Sequence, residues 1–313
     1  MKLFSKVILI LVFSILVYVS FLIFSDINLI SNEFSNFQYE YLPLILVLIL
    51  FAFFSLILRW NLLLKKSGIN VPNTSSILIF MSGVSLSIVP GKAGELIKSE
   101  LLKIKFDVPR TKSASIIVIE QIYNGIGLVI TSLFGIYYFD LGIYIVTGFS
   151  ILVGFIFLFL SSNTLFKKSS IIFLKIKFLN RFAENISESQ SVIKNLLSGK
   201  FVASLIFLST LFWIFISTAV YFIILAFQID VFNIFTIWSM YSSSIMLGFV
   251  SFLPVGIGVV EGSFAGFMAY NGINISIALT LIIIIRLIVE WLPISIGFIC
   301  LKLIYGKKSL SNN

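Results

Sequence analysis

Long apolar runs alternate with short polar connections along this chain. Runs of about 20 residues, enough for a helix to cross roughly 30 Å of hydrocarbon, fall at Val7–Phe24, Leu42–Leu58, Ser113–Phe139, Leu141–Ser162, Phe201–Phe227 and Ile275–Leu303, and predict six spanning helices. Two more apolar stretches, Ser75–Val89 and Phe235–Leu253, run into proline and glycine and are read as re-entrant or broken helical segments. The two stops share a pattern. Ser87-Ile-Val-Pro90-Gly91-Lys-Ala-Gly94 and Ser251-Phe-Leu-Pro254-Val-Gly256-Ile-Gly258 both read Ser-x-x-Pro-x-x-x-Gly, and a glutamate follows each, Glu95 and Glu261. Proline removes a backbone donor and glycine loosens the chain. At membrane depth such irregular backbone survives only against protein or a water-filled cavity.

Charge orients this pattern, because cytoplasmic connections gather Lys and Arg. Every basic residue except Arg286 falls in one of five segments: Lys2 and Lys6, Arg59 to Lys66, Lys92 to Lys112, Lys167 to Lys200, and Lys302 to Lys308. The alternate connections carry the acids Asp26, Glu33, Glu40, Asp140 and Asp230. The alternation works only if both broken segments leave on the side they entered, the first from the cytoplasm and the second from outside. The expectation is an all-α polytopic protein with both termini cytoplasmic and an inverted-topology repeat. Its single membrane domain, 1–313, divides into a first span at 7–24, repeat one at 42–139, a connecting span and basic interfacial segment at 141–200, and repeat two at 201–303. Inside that segment, Ile171 to Phe182 interleaves apolar residues with Lys175, Lys177 and Arg181, which suits either an interfacial helix or a solvated loop.

Composition excludes much else. With 59% hydrophobic residues, 11% charged and a mean hydropathy of +1.12, the chain cannot coat a water-soluble globule. Val7–Phe24 is too long for a signal-peptide core and is expected to be retained. Histidine is absent and Cys300 is the single cysteine, so no disulfide framework, thiolate metal cluster or His-based catalytic group is expected. Catalytic residues, a metal site and cofactors are all expected to be absent, and no soluble catalytic module fits between the spans.

Ionisable groups inside the hydrocarbon are costly and mark function by default. Arg286 lies far from either end of its run, and Glu290, four residues on, shares its helix face. Pro293 removes the donor that would pair with the Val289 carbonyl. The pair is either a structural ion pair or an anion contact, since a guanidinium matches phosphate oxygens and stays charged. Glu120 lies about 10 Å inside its span. It follows Glu95 at the same interval, 25 residues, at which Arg286 follows Glu261. Glu95 and Glu261 could pin the hairpin tips through backbone N–H groups, although Glu95 among Lys92, Lys98 and Lys103 could equally be an interfacial charge. The small residues before each break, such as Ser82, Gly83, Ser243 and Gly248, suit close packing as well as a hydrated path.

Four stretches together resemble the lysylphosphatidylglycerol synthase transmembrane, or flippase-like, family: Pro90-Gly-Lys-Ala-Gly94-Glu95-Leu-Ile-Lys98, Ile119-Glu120-Gln121, Leu253-Pro254-Val-Gly256-Ile-Gly258-Val-Val-Glu261-Gly262 and Ile285-Arg286-Leu-Ile-Val-Glu-Trp291. The resemblance implies Pro-x-x-x-Gly-Glu-x-x-Arg in the first, Glu-Arg in the second and Pro-Gly-Gly-x-Gly-x-x-Glu in the third. This chain departs from it with Lys98 for arginine, Gln121 for arginine and Val255 for the first glycine. An anion contact implied near residue 121 is therefore weakened, which moves the burden toward Arg286. Some members of that family move aminoacylated phosphatidylglycerol between leaflets, and the aminoacyl-transfer domain of the fused members is not expected here.

The leading expectation is a lipid flippase-like protein of the inner, or cytoplasmic, cell membrane that carries an anionic phospholipid or polyprenyl-phosphate-linked lipid. Arg286, Glu290, Glu261, Glu120 and Glu95 would line the headgroup path, and Pro90, Gly91, Gly94, Pro254, Gly256 and Gly258 would form the hairpin breaks. The alternatives are a membrane-embedded enzyme, or an accessory scaffold, of lipid or cell-envelope glycan biosynthesis. Expected partners are membrane lipids, with biosynthetic enzymes and a homodimer left open, and no nucleic acid.

Overall fold

The computed structural model describes residues 37–162 and 183–306. The expected span Val7–Phe24 and the basic stretch Ile171–Phe182 lie outside the described residues. Within them the chain is helical and holds no strand. In order it forms α1 (Leu42–Lys66), α2 (Asn73–Ser85), α3 (Ile97–Phe106), α4 (Arg110–Leu133), α5 (Gly142–Ser161), α6 (Ala183–Leu196), α7 (Phe201–Ala226), α8 (Ile234–Val250), α9 (Val259–Tyr270), α10 (Ile275–Arg286) and α11 (Leu292–Gly306). A π-helical turn, Leu287–Trp291, joins α10 to α11 without a break. Tight 3-10 turns at Pro90–Leu96 and Pro254–Gly256 mark the two proline–glycine stops.

Among the described residues five helices are long and apolar enough to cross a membrane: Tyr39–Lys66, Arg110–Leu133, Gly142–Ser161, Phe201–Ala226 and Ile275–Tyr305. They correspond to the five expected runs inside the described residues, with shifted ends. The first runs past Leu58 to Lys66, because Leu62, Leu63 and Leu64 continue the apolar face and Arg59 and Trp60 are buried rather than looped out. The third stops at Leu133 instead of Phe139. Gly135 there lies so close to the Phe235 carbonyl that a Cβ would sit 1.7 Å from its oxygen, and a short 3-10 turn, Ile136–Tyr138, follows.

Local signals account for several helix starts. Asn233 and Asn274 cap α8 and α10, their side-chain oxygens accepting from the N–H groups of Phe235 and Ser276 at 3.0 and 2.9 Å. Where α3 meets α4, Arg110 grips Glu100 through Nε and Nη2 at 2.7 and 2.9 Å, which holds that carboxyl below its ordinary range. Both side chains are exposed, so the pair adds little stability.

Packing sets the architecture. α1 lies along α7, α2 lies along α11, and α4 packs against both α7 and α8. Gly297 lets α11 close on α2, since a Cβ there would come within 2.5 Å of the Met81 carbonyl oxygen. The turns Pro90–Leu96 and Pro254–Gly256, far apart in sequence, touch each other. At one end of the bundle Gln38 N–H donates to the Ala226 carbonyl at 2.9 Å, Tyr138 stacks on Phe235 and Phe139 meets Phe267. Lys66 reaches the Ser198 carbonyl at the other end.

The outer surface needs lipid. α5 buries only Gly142, Val146 and Phe149, while Ile151, Phe155 and Leu158 face outward. Apolar patches of that extent are not left in water by soluble proteins. Continuous helices satisfy their own backbone groups, which hydrocarbon demands. This is a multi-pass membrane protein.

Candidate functional site

Two buried charge networks meet where the two turns touch. The first begins with Arg59, which α1 carries between α4 and α7. Its Nη1 donates to Asn124 Oδ1 at 2.7 Å and to Ser209 Oγ at 2.8 Å, and its Nη2 lies 3.6 Å from Glu120 Oε1. Lys98, near the start of α3, reaches the same carboxylate, donating to Glu120 Oε2 at 2.6 Å and to Glu95 Oε2 at 2.8 Å. Gly83 makes room for the lysine stem, because a Cβ at that position would lie 2.7 Å from Lys98 Cδ. The Trp60 and Phe80 rings flank the ammonium at 5.0 and 5.3 Å. Gln121 completes the group by donating to Glu95 Oε2 at 3.1 Å. Arg59, Lys98 and Glu120 are each about 1% exposed, and two cations balance two carboxylates. Balance is what makes such burial tolerable, since an unpaired charge in a low-dielectric site costs several kcal/mol.

The second network centres on Arg286. Its Nε lies 3.1 Å from Glu261 Oε1, its Nη2 donates to the Val255 carbonyl at 2.7 Å, and its Nη1 lies 3.8 Å from Glu290 Oε2. Glu261, fully buried, also accepts from Gly258 N–H at 2.7 Å, which closes the start of α9. Glu261 thus holds a backbone N–H at the turn beside it, the contact the sequence suggested for it. Glu95 differs: its partners are Lys98 and Gln121 side chains. Glu261 is the nearer counter-ion of Arg286, with Glu290 the more distant.

Backbone irregularity places these groups. Val255 holds φ 51°, a left-handed conformation that a β-branched residue rarely adopts, and that turn presents its carbonyl to Arg286. Gly256 and Gly258 follow with φ of 69° and 86°. Pro293 lacks the N–H that the Val289 carbonyl would receive, and the π turn at Leu287–Trp291 lies in that stretch. It brings Glu290 to the cavity.

That cavity has two adjoining chambers. One, of about 190 Å³, is lined by Lys92, Gln121, Phe249, Arg286 and Glu290 among others. The other, of about 110 Å³, is lined by Arg59, Glu95, Glu120, Asn124 and Tyr241 among others. Lys92, Trp213, Val255 and Glu290 line both. At about 30 Å³ per water molecule the space holds several waters.

Of the side chains expected on the path, Glu95, Glu120, Arg286 and Glu290 line the chambers, whereas Glu261 stands behind Arg286 and lines neither. Pro90, Gly91 and Gly94 fall in the first turn, and Pro254 and Gly256 form the second, with Gly258 just after it. Arg59, Lys92 and Lys98 fall in the cytoplasmic basic belt by the charge pattern of the sequence, whereas the structure brings them to this site. A signal existed for Arg59, the apolar Leu62–Leu64 beyond it. The three-residue step from Glu95 to Lys98 was a weaker one. Among the described residues no group of three His, Cys, Asp or Glu side chains gathers to hold a metal.

No protein of curated function matches this chain. The model of the lysylphosphatidylglycerol synthase TM region matches residues 9–297, nearly its whole length. With both proline–glycine turns and both charge networks inside the matched region, the chain belongs to the lysylphosphatidylglycerol synthase transmembrane family.

Proposed function

We propose that this protein is a lipid flippase of the cell membrane, moving an anionic phospholipid or a polyprenyl-phosphate-linked lipid between leaflets. The observation that carries this reading is the polar cavity at the meeting of the two turns, bordered from both halves by cations and carboxylates inside an apolar bundle. A headgroup would sit among those charges while its tails remain in the bilayer. Membership of a family tied to lipid chemistry supports the same class.

The path would be framed by two inverted repeats. Supporting this, α8 begins and α9 ends beside the outer end of α4, through Tyr138 on Phe235 and Phe139 on Phe267. α2 and α3 connect instead to the end of α1 and the start of α4. Each first hairpin arm packs on the final helix of the other half, α2 on α11 and α8 on α4. Half-helices meeting between inverted repeats are the setting in which transporters bind substrate. Rocking of one half against the other would expose the cavity to each leaflet in turn.

The test is headgroup transfer in reconstituted vesicles. Arg286→Gln alone would strand the buried Glu261 carboxylate, so the informative variant is Arg286→Gln with Glu261→Gln, which removes both charges together. Transfer of a fluorescent phosphatidylglycerol or polyprenyl phosphate should fall at least about tenfold, corresponding to about 1.4 kcal/mol, while the melting temperature is largely kept. Wild-type transfer by a folded double variant would defeat the reading.

A further inference from the structure

We propose that Lys92 is the cation that receives the phosphate group of the ligand in this cavity. The inference rests on the lipid-binding reading of the cavity and adds to it the residue that recognises the headgroup.

Four cations border or underlie the cavity, and three have their charge met within the protein. Arg59 lies beside Glu120, Lys98 binds Glu120 and Glu95, and Arg286 is held by Glu261 with Glu290 beyond. Lys92 differs in lacking direct contact, with Glu95 and Glu290 acting on its charge only from a distance. Among the described residues its ammonium makes no hydrogen bond and has no carboxylate within 4 Å, and what it has is the face of Phe249, 4.4 Å from the ring centroid. A ring face attracts a cation but does not replace the hydrogen bonds an ammonium loses when it leaves water. Lys92 is only part-buried and faces both chambers, so its three donors are left to whatever fills them, water or an anionic ligand.

Its placement is specific. Lys92 sits in the turn Pro90–Leu96 with φ 55°, a left-handed backbone that L-residues adopt at a cost and that clusters at ligand-binding positions. It lines both chambers, so an anion there would be in reach from either half of the cavity. In the larger chamber Gln121 Oε1 is also buried without a hydrogen bond, a second polar atom awaiting a hydrated or occupied site. A lysine suits this task, because an ammonium on a flexible stem can follow a phosphate through a change of shape more readily than a rigid fork. The ligand chemistry is a phosphate ester, and its source could be a lipid headgroup or a free phosphate.

Binding, rather than transport, tests the assignment. The full chain in neutral detergent would be titrated with dioleoylphosphatidylglycerol, with dioleoylglycerol as the phosphate-free control, and with inorganic phosphate as competitor. Lys92→Met keeps the unbranched stem over Phe249 and removes the charge, while Lys92→Arg keeps the charge. Lys92→Met should weaken phosphatidylglycerol binding at least about tenfold, leave dioleoylglycerol unchanged and reduce the salt dependence of binding; Lys92→Arg should stay within about threefold of wild type. Displacement of the lipid by millimolar phosphate would support the site with free phosphate as an occupant, and no displacement would support it with the lipid as occupant. Unchanged phosphatidylglycerol affinity in Lys92→Met, or an equal loss for both lipids, would overturn it, the latter by assigning Lys92 to packing. A protein that binds through Lys92 yet fails to move lipid would sink translocation and leave this inference standing.

Discussion

At the residue scale, the buried charges behave as sets rather than as single groups. Glu120 is shared by Lys98 at 2.6 Å and Arg59 at 3.6 Å, so removing one cation leaves a carboxylate only partly compensated. Lys98→Met should destabilise the protein by about 3–5 kcal/mol, the usual cost of breaking a buried pair, and adding Glu120→Gln should recover a large part of it. Thermal unfolding of the two single variants and the double variant in detergent reads the coupling, and simple additivity would show that the two groups act independently. Val255 makes the opposite case. Its left-handed backbone stores about 1–3 kcal/mol that a glycine would not carry, less the roughly 0.5–1 kcal/mol a glycine loses to chain entropy. Val255→Gly should therefore raise the melting temperature while keeping the carbonyl bond to Arg286, and a lower melting temperature would mean the valine side chain packs well enough to outweigh its strain.

At the scale of elements, close approaches separate glycines that matter from glycines that are merely present. A Cβ on Gly94 would lie 1.9 Å from the Leu86 carbonyl oxygen, and backbone must move to relieve it, whereas a Cβ on Gly262 or Gly266 meets nothing within 4 Å. Gly94→Ala should cost at least about 2 kcal/mol and yield poorly dispersed protein, with Gly266→Ala within about 0.5 kcal/mol of wild type. Size-exclusion profiles and melting curves check both. The π turn is a second such element. Restoring an N–H with Pro293→Ala would let Val289 recover its helical bond and draw Leu287–Trp291 toward α-helical register, turning Glu290 away from the chambers. Lipid transfer should then fall at unchanged or raised stability.

The sequence carried most of the element map because hydropathy and proline–glycine punctuation act locally. Five apolar runs and both stops stand in the structure as read, apart from their ends. What failed was pairing across distance. Arg59 looked like the end of a span because a charge reads as an exit from the membrane when its counter-ion, Glu120, lies on another helix. Lys98 looked like a cytoplasmic charge for the same reason, and Lys92 did because nothing local in the sequence tells that the turn Pro90–Leu96 brings it to the cavity. The matching 25-residue intervals hinted that Glu120 and Arg286 hold equivalent places, but no local pattern could announce that Lys98 binds the first and Glu261 the second.

At the scale of the whole molecule, the proposed inverted arrangement makes a demand that no single site shares: the two proline–glycine segments would have to open to opposite faces of the membrane. The connections that would report it are exposed, with Asp107 between α3 and α4 and with Asp230 and Asn271 flanking α8 and α9. Cys300 is the single cysteine, so Cys300→Ala clears the background for one introduced thiol at a time. In oriented vesicles Asp107→Cys should react with a membrane-impermeant maleimide from the side that carries the basic connections, and Asp230→Cys and Asn271→Cys from the other. Reaction of all three from one side would place both hairpins on the same face. The cavity would then have a single mouth, and a polar chamber with a single mouth can bind a headgroup but cannot pass it across, so this labelling pattern decides between a carrier and a receptor for the same lipid.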